Sequence, residues 1–247
     1  MAATKSAGQQ ASTAGLSAHV ALPSGAAGQA GLVPDGAVRG VVQNSGINTS
    51  IGAGQYVGAI DLQSASTTFT MPSFGCASSN DYEWLLPGLW VFDSAGNLVD
   101  QVDVNFNCEA GGSKYQTDVI CMEGGGCDQS ISPNPGDVIE ATYIQDGAAN
   151  LSVGIINDRT QGTVAVEEGT ATSGSTILQG DMSPAPFGYG TAVPLFTKVP
   201  FSISTLNGQY TSDWNPLQLN LMNGSDVQIK SSTVKTTSFS TSFAHNN

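Results

Sequence analysis

The sequence predicts an all-β protein, a sandwich of two antiparallel sheets or a barrel, on three observations. From about residue 50 onward, short runs rich in Val, Ile, Thr, Phe and Tyr recur at close spacing. Turn signals separate them: Ser94-Ala95-Gly96-Asn97, Asp146-Gly147, Asn207-Gly208 and Asn223-Gly224. No stretch of ten or more residues keeps a helical stripe. The expected strands are 55–62, 66–71, 88–93, 98–106, 115–121, 137–145, 151–157, 161–167, 191–203, 217–222, 226–230 and 237–243. A chain of 247 residues is long enough to close them around one real core. No repeat of 20–50 residues is visible, which argues against a propeller or solenoid.

Residues 1–45 differ in texture. They are dominated by Ala, Gly, Ser and Gln with Pro23 and Pro34, and they read as an extended arm or leader before a domain spanning 46–247. His19, alone in that arm, has no partner pattern for catalysis. Within the domain, LVDQVDVNFNC (98–108) alternates in a way that asks for explanation. As a strand it carries Val99, Gln101, Asp103 and Asn105 on one face and Asp100, Val102, Val104 and Phe106 on the other. The polar row is either a wet face or the floor of a site.

Charge narrows the partners. There are 20 acidic residues against 7 Lys plus Arg, a formal net charge of −13, and such a surface repels phosphate backbones, so no nucleic acid is expected. So few bases also leave little positive self-repulsion once carboxylates neutralise below about pH 4, which suits an acidic extracellular setting. No apolar window of transmembrane length occurs, and MAATKSAGQQASTAGL lacks the apolar core of a secretory signal. Cys76, Cys108, Cys121 and Cys127 lack CxxC spacing, so neither zinc nor another cofactor is expected. Two disulfides are expected instead, with Cys121–Cys127 closing a short Gly-rich loop, although three pairings are formally open. Asn48, Asn150 and Asn223 each open a glycosylation sequon.

Read in order, eight pieces of the chain resemble the glutamic peptidases, or eqolisins, including their bacterial relatives. GQYVGAI (54–60) is similar to an NWAGA-type strand, TTFTMP (67–72) to TFTVP, and GLWVFD (88–93) to WVGIDG. LVDQVDVNFNC resembles LQTGVDF, GGSKY (111–115) the loop after it, and PGDVIEATY (135–143) the strand that follows. AVPLFTKVPFS (192–202) resembles VPFADFGTVTF, and residues 219–243 the closing hairpin. Cys76 and Cys108 fall where bacterial members carry cysteines. The resemblance implies a concanavalin A-like, jelly-roll type sandwich with a concave substrate sheet, and a Cys76–Cys108 disulfide.

It also implies a chemistry. The family hydrolyses peptides at acid pH with a glutamate that activates water and a glutamine amide that holds the oxyanion, a division of labour that suits a carboxylate near its own pKa. The glutamine maps to Gln101, with Asp103 and Asn105 lining the same face. The glutamate of the family's AEWIVED falls on Thr176, and its tryptophan on Ile177, within GSTILQGD (174–181). A hydroxyl cannot serve as base at acid pH. The family's AWYEW reads TDVIC (117–121), with Asp118 for Trp and Ile120 for Glu. Asp118 is then the candidate surrogate base, with Glu123 and Glu167-Glu168 as lesser ones, while Asp93 is expected to make structural hydrogen bonds.

Three functions follow. The first is a non-catalytic eqolisin-like module that binds an extended ligand, peptide or glycan, or serves as a structural element self-associating through its N-terminal arm. The second is a diverged acid endopeptidase using Gln101 and Asp118. The third is a lectin-like sugar binder presenting Trp84, with Tyr82, on an exposed loop, while Trp90 lies in an apolar strand.

Overall fold

The computed structural model describes residues 47–49, 52–76, 83–108, 114–171, 174, 176–182, 193–223 and 226–244. The expected arm at 1–45, with His19, lies outside them, as does Tyr82. The described chain is almost entirely strand: β1 (Ile47–Thr49), β2 (Gly52–Gly58), β3 (Ser64–Thr70), β4 (Phe74–Gly75), β5 (Glu83–Phe92), β6 (Leu98–Cys108), β7 (Lys114–Cys121), β8 (Cys127–Asp128) and β9 (Val138–Asp146). There follow β10 (Leu151–Asp158), β11 (Thr163–Thr170), β12 (Thr176–Met182), β13 (Leu195–Phe196), β14 (Val199–Leu206), β15 (Gln209–Tyr210), β16 (Leu217–Asn223), β17 (Asp226–Ser231) and β18 (Ser238–Phe243).

One hydrogen-bonded path runs β11-β10-β9-β3-β14-β18-β17-β16-β2-β12-β5-β6-β7-β8, and it folds back over itself. The first sheet, from β16 to β8, lies on the second, from β11 to β17: β5 packs on β3 and β9, β6 on β9 and β10, and β12 on β18. The path nearly closes. Thr170 N at the end of β11 donates to Glu123 O (2.7 Å), and Gly126 N donates to Glu167 Oε1 (3.2 Å), in the loop that Cys121–Cys127 ties off. The second disulfide joins Cys76 to Cys108. Both expected pairings are present.

Between the sheets lies the main core. Val102, Val104 and Phe106 of β6 face Ile139, Ala141 and Ile156, all buried. Phe201 stacks on Phe239 (centroids 4.6 Å apart) and meets Phe69 at 5.5 Å. Gly154 lets β10 approach closely, for a Cβ there would stand 2.5 Å from Ile120 Cγ2 and 2.9 Å from Val102 Cγ2.

Some of the inter-sheet space is polar. Gln179 Nε2 donates to Ser66 O (3.3 Å) and Thr205 O (3.2 Å), and its Oε1 accepts from Thr211 Oγ1 (2.6 Å). Gln55 Nε2 donates to Ser231 Oγ (3.1 Å) and Ser232 O (2.8 Å). Asp181 is fully buried, and neither carboxyl oxygen has a hydrogen bond of good geometry. Burial pushes its carboxyl up to about 7, opposed only by the Thr241 hydroxyl.

Three expected elements differ. Strand β12 is not among the expected strands because Gln179, Gly180 and Asp181 break its apolar run, yet it is central in the first sheet. The expected strand 191–203 is two pieces, β13 and β14, and β14 continues to Leu206. Strand β5 begins at Glu83 and runs through Pro87-Gly88, whereas the expected strand begins only at 88 and leaves Trp84 on a loop. Gly88 is needed there because a Cβ would meet Asp103 Cα at 2.5 Å.

Two outcomes test this packing. Gly154→Ala should cost about 1–3 kcal/mol by overpacking, read as a lower urea midpoint with unchanged slope. Asp181 is protonated in the fold and ionised in the unfolded chain between about pH 4 and its raised value, so stability falls as pH rises through that window. With a shift of about three units, the loss approaches about 4 kcal/mol above pH 7. Asp181→Asn should therefore flatten the pH dependence of urea unfolding and gain most over the parent at pH 8.

Candidate functional site

Strand register fixes which side chains share the face of the first sheet turned away from the second. Gln101 lies opposite Trp90 on β5 and Cys121 on β7, and Trp90 lies opposite Leu178, itself opposite Tyr56. The next row sets Asp103 beside Gly88, Gly180 and Gly54 on one side and Val119 on the other. The close approach of β2 and β12 requires the glycines: a Cβ on Gly54 would stand 2.1 Å from Gln179 O. Around them Tyr56, Leu86, Trp90, Phe92, Leu178, Met182 and Leu219 form a second apolar cluster, distinct from the inter-sheet core.

Gln101, Asp103, Asn105 and Asn107 run along β6 on this face. They are not a wet strand surface, for their exposures are 3, 0, 7 and 9%. Asp103, Asn105 and Asn107 each leave carboxyl or carbonyl oxygens without a hydrogen-bond partner. Burial raises the Asp103 carboxyl well above the carboxylate range. The Gln101 amide lies near enough to oppose this slightly, short of good bonding geometry, and the Asp118 charge adds to the rise. Asp103 thus holds its proton to a higher pH than a free aspartate.

Thr176 reaches the same face. Its hydroxyl engages the Tyr56 phenol, whose pKa burial raises. It stands opposite Phe92 while Gln101 stands opposite Trp90, so β5 separates the two. Among the described residues, Asp103 is the one carboxyl that the strands of this sheet turn to the face.

Asp118 does not join Gln101. It pairs with Val104, and Ile120 with Val102, so both leave β7 on the core side. There Asp118 Oδ1 accepts from Ser130 N (2.8 Å) and Ile131 N (2.7 Å). Burial raises its carboxyl despite these bonds, and Asp128 adds to the rise. Ile177 also faces the core, so the place of the family's tryptophan is no groove wall in this chain. Val99 departs from the simple alternation: the register slips between Val91/Asp100 and Phe92/Leu98, leaving Val99 as a bulge residue that packs toward the inter-sheet core.

The remaining candidates have structural work. Trp84 is half-buried on β5 against the second apolar cluster, not on an exposed loop. Trp90 is fully buried, in that cluster rather than in the main core. Glu123 N donates to the buried Asp100 Oδ1 (2.8 Å). Asp93 Oδ1 accepts from Ala95 N and Asn97 N (2.8 Å each), and these bonds, with the Asn97 amide, outweigh burial and lower its pKa. Asn107 continues the same alternation, one residue beyond the end of the expected strand at 106.

Comparison with solved structures decides the fold. Scytalido-glutamic peptidase, crystallised with a transition state analog inhibitor, matches 79% of this chain and 98% of its own at TM-score 0.59 and 14% identity. The fold is that of the glutamic peptidases. SCP-B, described as a member of the eqolisin family in a complex with the tripeptide Ala-Ile-His, matches 79% of this chain and 98% of its own at TM-score 0.58 and 13% identity. Aspergilloglutamic peptidase from Aspergillus niger matches 73% and 99% at TM-score 0.51 and 13% identity. No family model matches, and no curated protein matches by sequence. At such identities the likeness to glutamic peptidases shows architecture alone.

Removing the Asp118 carboxylate leaves two backbone donors unbonded. Asp118→Ala should lower stability by about 1–3 kcal/mol in urea titrations and leave the environment of Trp90 unchanged in its fluorescence spectrum.

Proposed function

We infer that this chain is a non-hydrolytic relative of the glutamic peptidases, of bacterial type, that holds an extended peptide along β6. The observation that carries the reading is the chemistry of the outer face. The glutamate's place holds Thr176, and the carboxyl nearest the amide of Gln101 is Asp103, which burial keeps protonated. A general base must be ionised and within reach of its water. Thr176 does not ionise in the acid range, and Asp103 holds its proton to a higher pH than a free aspartate.

The ligand class rests on spacing. Buried acceptors without donors are costly. Asn105 and Asn107, which keep 7 and 9% exposure, stand two residues apart along β6, a step of about 6.6–6.8 Å, which is the repeat of same-side N–H groups along an extended polypeptide. Trp84, Leu98 and Leu217, the partly exposed members of the cluster, supply the edge at which a chain enters. The tripeptide held by SCP-B supports a peptide over a glycan.

Gln101 keeps its assigned part only with a slip. Aligned without gaps on its Val-Asp step, LQTGVDF sets its glutamine at Val99, which faces the core. Gln101, the glutamine on this face of β6, takes that part if the motif shifts by one two-residue period. Two disulfides support an oxidising, extracellular or surface location. A strand-donating arm at 1–45 and sugar binding at Trp84 remain weaker readings, carried by composition and fold analogy.

The test joins binding to turnover. Fluorescein-labelled Ala-Ile-His and casein-derived peptides should bind in anisotropy titrations and be recovered intact by mass spectrometry between about pH 3 and pH 8. Asn105→Ala should weaken binding about tenfold. Gln101-dependent cleavage of casein would overturn the reading. So would glycan binding lost in Trp84→Ala with no peptide bound.

A further inference from the structure

Residues 129–137 lead from β8 in the first sheet to β9 in the second, and a carboxyl group fastens each end. At the start, Asp118 Oδ1 holds Ser130 N and Ile131 N, while Ile131 O accepts from Asp118 N (3.2 Å) and Thr117 Oγ1 (2.9 Å). At the finish, Asp137 Oδ2 accepts from Asn134 N (2.7 Å) and Gln161 Nε2 (2.6 Å). The same amide reaches Ser132 O (3.3 Å). Gln161 is placed from the opposite side, where Asp158 Oδ1 accepts from Gln161 N (2.9 Å) and Thr160 N (3.0 Å).

One residue therefore ties two carboxyls together, and the two lie close enough for a shared proton to bridge them. Asp158 is fully buried and Asp137 nearly so. Two ionised carboxylates in that contact repel, so one holds its proton to higher pH. Among the described residues no base relieves them. Arg159, next along the chain, turns to Glu140 on β9 (2.7 Å). Asp128 and Asp118 at the far end of the segment carry like charge. Met71–Ser73, bonded to Gly136 and Asp137, brings no titratable group.

We propose that Asp137 and Asp158 form a proton-held latch fastening residues 129–137 across the edge of the sandwich, and that loss of the shared proton releases this strap. The proton resides on Asp158. Burial raises that carboxyl, and Asp137 raises it further against the N–H groups of Gln161 and Thr160. Burial would raise Asp137 as well, but Asn134, Gln161 and the bond to Asp158 outweigh it and hold it below the usual value. As pH climbs through the Asp158 transition, the bond becomes a repulsion. The strap then loses its anchor at the β9 end, and the outer edge of β7 loses a neighbour. Thr117 of β7 lies opposite Asn105, so the latch acts on the margin of the polar row.

The experiment is a carboxyl-carbon NMR titration of the full chain with hydrogen exchange of the strap amides. Asp158 should titrate above an ordinary aspartate and return toward it in Asp137→Asn. Exchange at Ser130, Ile131 and Asn134, corrected for intrinsic rate, should rise about tenfold or more across that transition. In Asp158→Asn, where an amide donates permanently to Asp137, the strap should stay protected at every pH. An ordinary Asp158 titration, or strap exchange that ignores pH in the parent, overturns the latch. The Asp137→Asn titration decides the matter if Asp158→Asn does not fold.

Discussion

Strand β6 turns Val102, Val104 and Phe106 toward β9 and β10, and the same pleat sends Gln101, Asp103 and Asn105 the other way. Both directions end in buried surroundings. A one-residue slip would drive an acid and two amides into the apolar layer between the sheets, so register here is strongly specified. The bulge at Val99 lies just before this stretch and is tolerated because it places an apolar side chain toward the core. From the pairing of β6 with β5 and β7 follow the position of Trp90, the need for Gly88 and the exile of Asp118 to the far face.

Carboxyl groups are the recurrent theme of the interior. Asp103, Asp158 and Asp181 are fully buried, and each carries at least one oxygen without a conventional donor. The ion pair of Arg159 with Glu140 touches none of them. With 7 basic residues against 20 acidic ones, the chain has little with which to neutralise such groups, and burial holds their protons to higher pH instead. The scarcity of bases and the unpartnered interior carboxyls are one design seen at two scales.

Much of this was legible in the sequence, and the failures have physical causes. Runs such as Leu151–Asp158 and Ser238–Phe243 announce themselves because local alternation matches a half-buried strand. Strand β12 did not, since Gln179 and Asp181 sit where apolar residues would be expected, and the bonds that satisfy Gln179 come from Ser66, Thr205 and Thr211, far away in the chain. Alternation in TDVIC separates Asp118 from Val119 but does not say which side is the core; Val104, across the strand pair, decides it. The polar row of β6 was readable as a row, but its dryness was not, because burial belongs to the assembled sheet.

The ring of strands is completed by a small piece of chemistry. Cys121 and Cys127 hold the turn through which Glu123 and Gly126 meet β11, and beyond that meeting β11 presents Val164 and Val166 at 55 and 47% exposure. Reduction of this bond would loosen the seam and bare the backbone of a terminal strand already rich in β-branched side chains, the kind of margin on which further strands assemble. A thiol-rich environment would then leave that edge open to pairing with another strand.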